Sequence, residues 1–368
     1  MKNKIKPIAI HLPQFHPIPE NDTWWGKGFT EWTNVTKATP RFEGHYQPHL
    51  PADLGFYDLR LEEARLAQEN LAKEHGIYGF CYYHYWFNGK KVLYEPLERK
   101  LKNTNEDFPF MLCWANENWT RAWDGLEKEV LLKQDYSDTD DANHMTYLCE
   151  TFFKDERYMK QDGKPVFLVY RPTLFPDIKK TIETWRKIAR EKGVGEIHLG
   201  YMQSWGLRVE PESLGFDFAV EFQPNFPSPI SEPKSISNRI ITKLKRLFIK
   251  ENKKTDIKDR HFDYQTFVKL QKQNQFKSNV SPCLVPMWDN SSRRKTNAFV
   301  FTNESPKHYG EWLSHIKTNY PWSENKEKFL FINAWNEWAE GNHLEPCQKW
   351  GTQYLEMTKK VLLENESR

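Results

Sequence analysis

Two glutamates near the C-terminus, Glu337 and Glu340, have the residue type and spacing of an acid pair that could cleave or transfer a sugar. They lie three residues apart in the segment 331–341, among Trp335 and Trp338. Partial desolvation against an indole can keep one carboxyl group protonated, while a neighbour in a wetter, hydrogen-bonded setting stays ionised. Such a pair supplies a general acid and an ionised partner. The alternative that the spacing leaves open is a surface turn with two solvated glutamates.

The acid pair follows a short apolar run of the kind that a buried parallel strand shows. Seven earlier runs share this character, and most of them precede a segment with helical spacing of apolar residues. The predicted strands are Pro7–Leu12, Ile77–Tyr83, Phe108–Trp114, Lys164–Tyr170, Ile197–Met202, Phe216–Phe222, Cys283–Trp288 and Phe329–Ala334. The predicted helices are Asp58–His75, Tyr94–Leu101, Asp141–Met159, Asp177–Lys192, Tyr264–Gln273, Pro306–Lys317 and Gln353–Leu363.

This alternation predicts an α/β fold, a (β/α)8 TIM barrel with long loop insertions at its C-terminal face. Every predicted strand ends in polar or aromatic residues, and a parallel barrel gathers these strand ends on the face that carries the sites of barrel enzymes. A doubly wound open sheet is the alternative, but the sequence has no GxGxxG or GxxxxGK phosphate motif. We therefore predict one catalytic domain over residues 1–368, with insertions at about 13–57 and 227–261.

The composition favours a glycan over a nucleic acid as the partner. The 368 residues carry a formal charge of +3, so no global charge attracts nucleic acid. The 15 tryptophans supply flat apolar faces that suit the C–H faces of sugar rings. Five widely spaced cysteines form no CxxC pair, which argues against a disulfide framework or a zinc knuckle. Because the sequence shows no apolar leader and no membrane-spanning stretch, we expect a cytoplasmic location.

Polar and aromatic side chains at the predicted strand ends and in the first long loop could bind a sugar. Carboxylates and amides bind vicinal hydroxyls in pairs, and indoles offer stacking platforms. For the first loop, the alternative is a structural lid whose aromatic rings pack on the barrel rim. The candidate substrate-binding residues are Gln14, His16, Glu31, His49, His84, Asn116, Glu117, Trp119, Arg171, Gln203, Glu221, Gln223, Trp288, Asp289, Trp335, Asn336 and Trp338.

The sequence predicts neither a metal nor an organic cofactor. Histidines at several strand ends could converge, but no HExxH or similar close-spaced ligand set exists. A GxSxG nucleophile motif is missing as well. The string at 138–140 spells DxD, the metal motif of many nucleotide-sugar transferases. It lies in a polar segment before a predicted helix, and we interpret it as a cap and turn.

The segment from Pro233 to Arg260 is strongly basic, with ten Lys or Arg residues against three acids. Between 234 and 254, apolar residues recur at helical spacing opposite the lysines. A helix of this kind suits the anionic inner face of a membrane or a lipid-linked substrate, so 234–254 is a candidate for peripheral membrane contact. A helix docked on the barrel with a solvated basic face is the alternative.

Five strings carry a resemblance to a known family: HLPQFHPIPENDTWWGKGFTEWTNV, YQPHLPADLGFYDLR, FCYYHYWFNGK, CWANENWTRAWDG and WNEWAEGNHLEP. With them, the chain resembles the WbsX family of bacterial polysaccharide-biosynthesis proteins over most of its length. That family is commonly labelled glycosyltransferase. The NEWxEG string, here Asn336 to Gly341, is also similar to that of glycoside hydrolase family 99, the endo-α-mannosidases and endo-α-mannanases. This resemblance implies a (β/α)8 barrel.

The resemblance to the hydrolases also implies a division of roles. Glu337 would assist a sugar 2-hydroxyl that attacks the anomeric carbon through a 1,2-anhydro intermediate, and Glu340 would be the general acid/base of a retaining reaction. The first loop does not align with the hydrolases residue by residue. We expect an enzyme for α-linked bonds of a bacterial cell-surface polysaccharide or its lipid-linked precursor. The alternatives are a glycosyltransferase of O-antigen or capsule biosynthesis with an activated donor, and a non-catalytic glycan-binding barrel.

Overall fold

The computed structural model describes residues 4–121, 126–204, 206–225, 259–324 and 326–363. The basic segment 234–254 and nearly all of the predicted insertion at 227–261 lie outside the described residues. The candidate membrane contact through 234–254 therefore stays a prediction from the sequence.

Within the described ranges, nine parallel strands form a nearly closed barrel. In chain order they are β1 (Ile5–His11), β2 (Gly79–Phe87), β3 (Phe110–Trp114), β4 (Lys164–Val169), β5 (His198–Met202), β6 (Phe218–Val220), β7 (Val280–Ser281), β8 (Cys283–Leu284) and β9 (Lys328–Ile332). Neighbouring strands pair in the order β7-β6-β5-β4-β3-β2-β1-β9-β8. The strand residues are largely buried, as in parallel sheets that are covered on both faces.

Strands β7 and β8 occupy the place of one seventh strand, which is divided at Pro282. Val280 pairs with Ala219 of β6, whereas Cys283 pairs with Phe331 of β9. Proline has no N–H to donate, but the Pro282 carbonyl accepts from the backbone N–H of Phe331 at 2.9 Å. The divided strand thus links the two ends of the sheet, and the predicted barrel fold is confirmed.

Helices flank the barrel strands, and two more lie in the long loop after β1. They are α1 (Pro19–Trp25), α2 (Glu31–Lys37), α3 (Glu62–Glu74), α4 (Glu95–Lys102), α5 (Asp138–Thr151), α6 (Ile178–Glu191), α7 (Tyr264–Gln271), α8 (Pro306–Asn319) and α9 (Gln353–Leu363). In α6, Ile182, Trp185 and Ala189 recur at helical spacing and are buried. Among the described helices, none has the length and apolar character needed to cross a membrane.

Short accessory strands and 3-10 turns build the loops. Lys90–Val92 extends β2 as a hairpin and Lys160–Gln161 extends β4. The other strand pairs are Trp119–Arg121 with Leu126–Leu132, Arg260–Asp263 with Phe299–Thr302, and Asn336–Glu337 with Asn342–His343. The 3-10 turns are Pro172–Leu174, Pro211–Leu214, Asn290–Ser292 and Trp338–Glu340.

The DxD string at 138–140 lies in the first turn of α5 rather than in a loop before the helix. The Ser137 hydroxyl caps this helix by accepting from the backbone N–H of Asp140 at 3.1 Å. The Asp140 carboxylate accepts from the indole N–H of Trp86 at 2.9 Å. The helix ends at Thr151, well before the predicted Met159.

The first turn of α3 also differs from its prediction. The sequence pattern places the start of this helix at Asp58, but the helix begins at Glu62. Asp58 instead pairs with the guanidinium of Arg60 at 2.6 Å, and this local ion pair keeps the chain in a turn ahead of the helix.

Candidate active site

The turn after β9 carries both glutamates of the predicted acid pair. Asn336–Glu337 pairs antiparallel with Asn342–His343, and the 3-10 turn Trp338–Glu340 lies between them. The chain reverses at Gly341, whose φ of +53° is a left-handed conformation that glycine adopts readily. A Cβ at Gly341 would lie 2.9 Å from Asp289, so the turn is also tightly packed.

Asn336 fixes this turn to the end of β1. Its Oδ1 accepts from the backbone N–H of Leu12 at 2.7 Å, and its Nδ2 donates to the Leu12 carbonyl at 3.0 Å. Nδ2 also lies 3.3 Å from the Tyr57 hydroxyl. Asn336 is fully buried and does not line the cleft. Its amide therefore holds the acid pair in position from the side of the turn that faces away from the cleft.

Arg293 joins the two glutamates to a third carboxylate. One terminal nitrogen of its guanidinium lies 2.5 Å from Glu31 and 3.0 Å from Glu337, and the other lies 2.9 Å from Glu340. Glu31 begins α2, is fully buried, and accepts from the backbone N–H of Ala339 at 3.1 Å. One cation thus faces three carboxylates, and these four groups together carry a formal charge of −2 when all are ionised.

Burial and the excess of negative charge raise the pKa of both acids. Burial is the largest influence on Glu337 and raises its pKa to about 8, with Glu340 and Glu31 adding to the rise and Arg293 opposing it. Burial likewise raises the pKa of Glu340 against the effect of Arg293. The pair therefore holds a proton near neutral pH, which provides one acid and one ionised partner.

The acid pair lies in the wall of a cleft with a volume of about 690 Å³, a size typical of small-molecule sites. The Glu337 side chain is 8% exposed and that of Glu340 is 23% exposed, so Glu340 is the more accessible acid. The aromatic lining residues are Trp25, Tyr83, Tyr85, Trp119, Tyr170, Phe222 and Trp288. The polar lining residues are Gln14, Asn21, Glu117, Asn118, Thr120, Asn290, Arg293 and Arg294.

Glu117 and Trp119 reach the cleft from the segment after β3. Arg171 follows β4 and places a guanidinium nitrogen 2.5 Å from the Glu117 carboxylate. Burial raises the pKa of Glu117, and Arg171 opposes the rise. The Trp119 indole packs edge-on against Tyr85, with 5.3 Å between ring centroids. This contact holds the indole in a fixed position at the cleft.

A buried carboxylate, Glu345, supports the turn from the core side. It accepts from the Tyr57 hydroxyl at 2.8 Å and from the Gln68 amide and the Trp338 indole N–H at 2.6 Å each. Burial raises the pKa of Glu345 to about 7, while these donors oppose the rise. Trp338 also stacks on His343 with 3.8 Å between ring centroids. Its indole is therefore part of the support of the turn.

Asp289 holds the other side of the turn. Its backbone N–H donates to the Glu340 carbonyl at 2.7 Å. Its Oδ2 accepts from the Gln47 amide and lies next to His45 Nε2, at 2.7 Å in each case. Burial alone would raise the pKa of Asp289, but the hydrogen bond with His45 and the nearby His49 hold it below its ordinary value.

The structure separates the predicted site residues into three groups. Those that line the cleft are Gln14, Glu117, Trp119, Trp288, Glu337 and Glu340, while Glu31 and Arg171 contact lining residues. Around a second cavity lie His49, Asp289 and again Trp288. The cleft lining does not include His16, His84, Asn116, Gln203, Glu221, Gln223, Trp335, Asn336 or Trp338.

Several residues of the last group have clear structural partners. His84 Nε2 lies 2.9 Å from His144 Nε2 in the barrel wall. The Asn116 Oδ1 accepts from the backbone N–H of Arg171 at 2.8 Å. The buried amide of Gln223 donates to that of Gln271 at 3.1 Å. These polar groups terminate strands and join loops, which is why they also follow apolar runs in the sequence.

The sequence prediction missed Arg293, the three tyrosines of the cleft and Asn21. Tyr83 and Tyr85 lie two residues apart on β2, a spacing that places them on one face and that could have been noticed. Asn21 is buried at the cleft, and neither of its amide atoms has a hydrogen-bond partner among the described residues. Arg293 stands in an ordinary polar string, and only its position in space reveals it.

An acid pair at the strand ends of a parallel barrel, in the wall of an aromatic-lined cleft, defines a class of carbohydrate-active barrel proteins. Within this class, the chain belongs to the family described as "Glycosyltransferase WbsX", whose sequence profile matches residues 7–358.

Two curated relatives come from Xanthomonas campestris pv. campestris and are both named "Uncharacterized protein WxcX". The relative from strain B100 is 42% identical over 360 residues, which cover 96% of this chain and 49% of the relative. The relative from strain ATCC 33913 is 41% identical over 360 residues, with the same coverage. The chain thus spans about half the length of the curated relatives that it matches.

Solved structures share the fold at low sequence identity. One is a "Glycoside hydrolase-like protein", with a TM-score of 0.58 and 13% identity, covering 98% of this chain and 95% of that chain. Another is a GH99 endo-alpha-mannosidase from Bacteroides thetaiotaomicron in complex with BIS-TRIS-Propane, with a TM-score of 0.56 and 11% identity, covering 98% and 97%. At these identities the likeness concerns the fold.

Proposed function

We propose that this protein is a retaining carbohydrate-active enzyme for α-linked glycosidic bonds of a bacterial cell-surface polysaccharide or its lipid-linked precursor. The observation that carries the proposal is the Glu337–Glu340 pair, joined by Arg293 in an aromatic-lined cleft of about 690 Å³. The fold shared with an endo-alpha-mannosidase supports an α-linked substrate. Transfer to a sugar hydroxyl and hydrolysis by water use the same first step.

In this first step, Glu337 takes the proton of the sugar 2-hydroxyl as that oxygen attacks the anomeric carbon. The bond from the anomeric carbon to the leaving oxygen breaks, and Glu340 gives its proton to that oxygen. Water or a sugar hydroxyl then opens the 1,2-anhydro ring at the anomeric carbon and loses its proton to Glu340, while Glu337 returns its proton to O2. Two displacements retain the anomeric configuration.

The ion cluster holds a proton for this step, although burial, which raises the pKa of Glu337 to about 8, favours Glu337 as its holder before substrate binds. Glu340 is the more accessible acid and can reach a leaving oxygen in the cleft. Arg293 contacts both carboxylates and favours the ionised form of each. The reaction requires the shared proton on Glu340 and an ionised Glu337 once substrate is bound. A single guanidinium that contacts both acids stabilises the charge wherever the proton resides.

The test is turnover by wild-type protein and by Glu337→Gln and Glu340→Gln on aryl α-glycosides and α-linked surface polysaccharides, followed by reducing ends and anomeric NMR. Each substitution is expected to lower turnover by a factor of about 10² to 10⁴, because it removes a proton-transfer group. Glu183→Gln, on the exposed face of α6, is the matched control. Near-normal turnover in both acid variants, or inverted products, would contradict the proposal.

A second candidate function is glycosyl transfer from an activated donor, which the description of the family favours. Incubation with a panel of nucleotide sugars, with release of nucleoside diphosphate as the readout, separates this function from the first. Release of nucleoside diphosphate that is lost in the Glu337 and Glu340 variants would identify the protein as a glycosyltransferase rather than a hydrolase. If the protein binds glycans but turns over no donor and no glycoside, it is a non-catalytic glycan-binding barrel.

A further inference from the structure

A second cavity, of about 400 Å³, lies on the far side of the turn that carries Glu340. Trp288 lines both this cavity and the catalytic cleft, and Gly341, the residue after Glu340, lines the second cavity. The wall between the two spaces includes the hydrogen bond from the Asp289 backbone N–H to the Glu340 carbonyl. Trp288 is therefore the lining residue that the two spaces share.

The lining of the second cavity carries three carboxylates, Glu43, Asp289 and Glu304, against one ammonium, Lys349. The Lys349 ammonium lies 2.7 Å from Glu304, and His45 lies 2.7 Å from Asp289. Burial lowers the pKa of His49 to about 4, so this ring is neutral at pH 7. Since the lining offers no excess positive charge, a phosphate or a uronate has no counter-charge to meet. The chemistry fits an uncharged, polyhydroxylated ligand.

Aromatic rings complete the lining. The Lys349 ammonium lies 4.9 Å from the ring centroid of Tyr46 and 4.8 Å from that of Trp350, which holds both rings in place. The Trp350 indole nitrogen is buried and finds no acceptor in the described part of the chain. Because this nitrogen has almost no accessible surface, the aromatic rings rather than the N–H are what the cavity offers to a sugar.

We propose that the second cavity binds one uncharged hexopyranosyl unit of the glycan whose glycosidic bond lies over Glu337 and Glu340. The identity of this glycan rests on the proposed function, whereas the recognition chemistry of the cavity does not. Three residues that the sequence marks as sugar-binding, His49, Trp288 and Asp289, line it. The cavity thus gives the enzyme a subsite that anchors the chain beyond the bond that reacts.

The experiment uses the full chain labelled with 5-fluorotryptophan and carrying Glu340→Gln, so that binding is read without turnover. Fluorine NMR signals of Trp350 and Trp119 are assigned by single Trp→Phe variants and report the second cavity and the cleft separately. The probes are the methyl α-glycosides of mannose, glucose, galactose, N-acetylglucosamine and rhamnose. At least one of them is expected to shift the Trp350 signal in a saturable manner.

Thr302→Phe is designed to fill the second cavity from a partly exposed strand position. It is expected to weaken the response at Trp350 at least tenfold, whereas Thr184→Phe, at a partly exposed position of α6, leaves it unchanged. Thermal unfolding verifies that both variants fold, and Thr302→Leu replaces the first variant should it not fold. A Trp350 signal that no probe moves, or a response that survives the filled cavity, would overturn the proposal.

The two proposals fail in different ways. A responsive Trp350 with a silent Trp119 and no turnover of any glycoside would remove the proposed reaction and keep the second cavity as a sugar site. Turnover of a glycoside with an unresponsive Trp350 would keep the proposed reaction and remove the second cavity as a sugar site.

Discussion

A terminal guanidinium nitrogen of Arg293 lies 3.0 Å from the Glu337 carboxylate, although the two residues are 44 positions apart in the chain. The contact joins the 3-10 turn after β8 to the turn after β9. Because it favours the ionised form of a deeply buried acid, it opposes the protonation that burial promotes. Arg293 therefore controls how much of the acid pair is ionised at neutral pH.

Replacing Arg293 by glutamine should raise the pKa of both Glu337 and Glu340, because burial then acts without the opposing cation. We expect the carboxyl carbon-13 signals of the pair to titrate at a pH higher by one unit or more than in wild type, which corresponds to about 1.4 kcal/mol or more for each proton. Arg171→Gln, which removes the partner of Glu117 in the same cleft, is the control. Unchanged titration of the pair in Arg293→Gln would show that the guanidinium does not set its charge.

Gly341→Ala should destabilise the protein more than an ordinary substitution in a turn. A Cβ at Gly341 meets Asp289 at 2.9 Å, and the φ of +53° adds backbone strain. Gly351 has a φ of +52°, but a Cβ added there would meet no atom within 4 Å, so Gly351→Ala isolates the strain alone. We expect about 1 kcal/mol for Gly351→Ala and about 2 to 4 kcal/mol for Gly341→Ala in urea unfolding. Equal losses would mean that the contact with Asp289 relaxes freely.

Asp289→Ala should cost stability at neutral pH but little in acid. The folded protein holds the pKa of Asp289 below its ordinary value of 3.8, so its stabilising effect is present above that pH and is lost as the pH falls through the lower, folded pKa. At pH 7 we expect a loss of about 1 to 3 kcal/mol, since His45 and Gln47 lose a buried acceptor. Asp53→Ala, at an exposed position, is the control, and the measurement is chemical unfolding from pH 2 to pH 7. A difference from wild type that does not shrink in acid would contradict this account.

Glu345→Gln should flatten the pH dependence of the unfolding free energy between about pH 4.5 and pH 7. Because burial raises the folded pKa of Glu345 from 4.5 to about 7, the wild-type protein loses stability as the pH rises between these two values. A tenfold difference in proton affinity corresponds to about 1.4 kcal/mol, so this loss should amount to about 3 kcal/mol. The variant cannot ionise at this position, so its stability should not fall over this pH range. Its amide group faces three donors, which lowers its stability by a similar amount at every pH. Glu63→Gln, at an exposed position, should retain the wild-type slope; a slope retained in Glu345→Gln as well would refute the assignment.

The sequence by itself determined the barrel and the place of the acid pair. Apolar runs such as Phe329–Ala334 can only be buried between covered faces, and parallel strands bring their ends to one side of the sheet. That Glu337 and Glu340 follow such a run is therefore enough to put them at this face. The aromatic strings predicted stacking platforms for a sugar; Trp119 and Trp288 line the cleft beside the acid pair, and their contact with a sugar stays a prediction.

Only the tertiary structure decided which polar residues face that cleft and which support it. Asn336 and Trp338 stand beside the acids in the sequence, yet their hydrogen bonds to Leu12 and Glu345 bury them behind the turn. Arg293 is distant in the sequence, yet it contacts both acids. The orientation of a side chain at a strand end depends on the turn geometry and on partners from other loops, and neither is encoded in local periodicity.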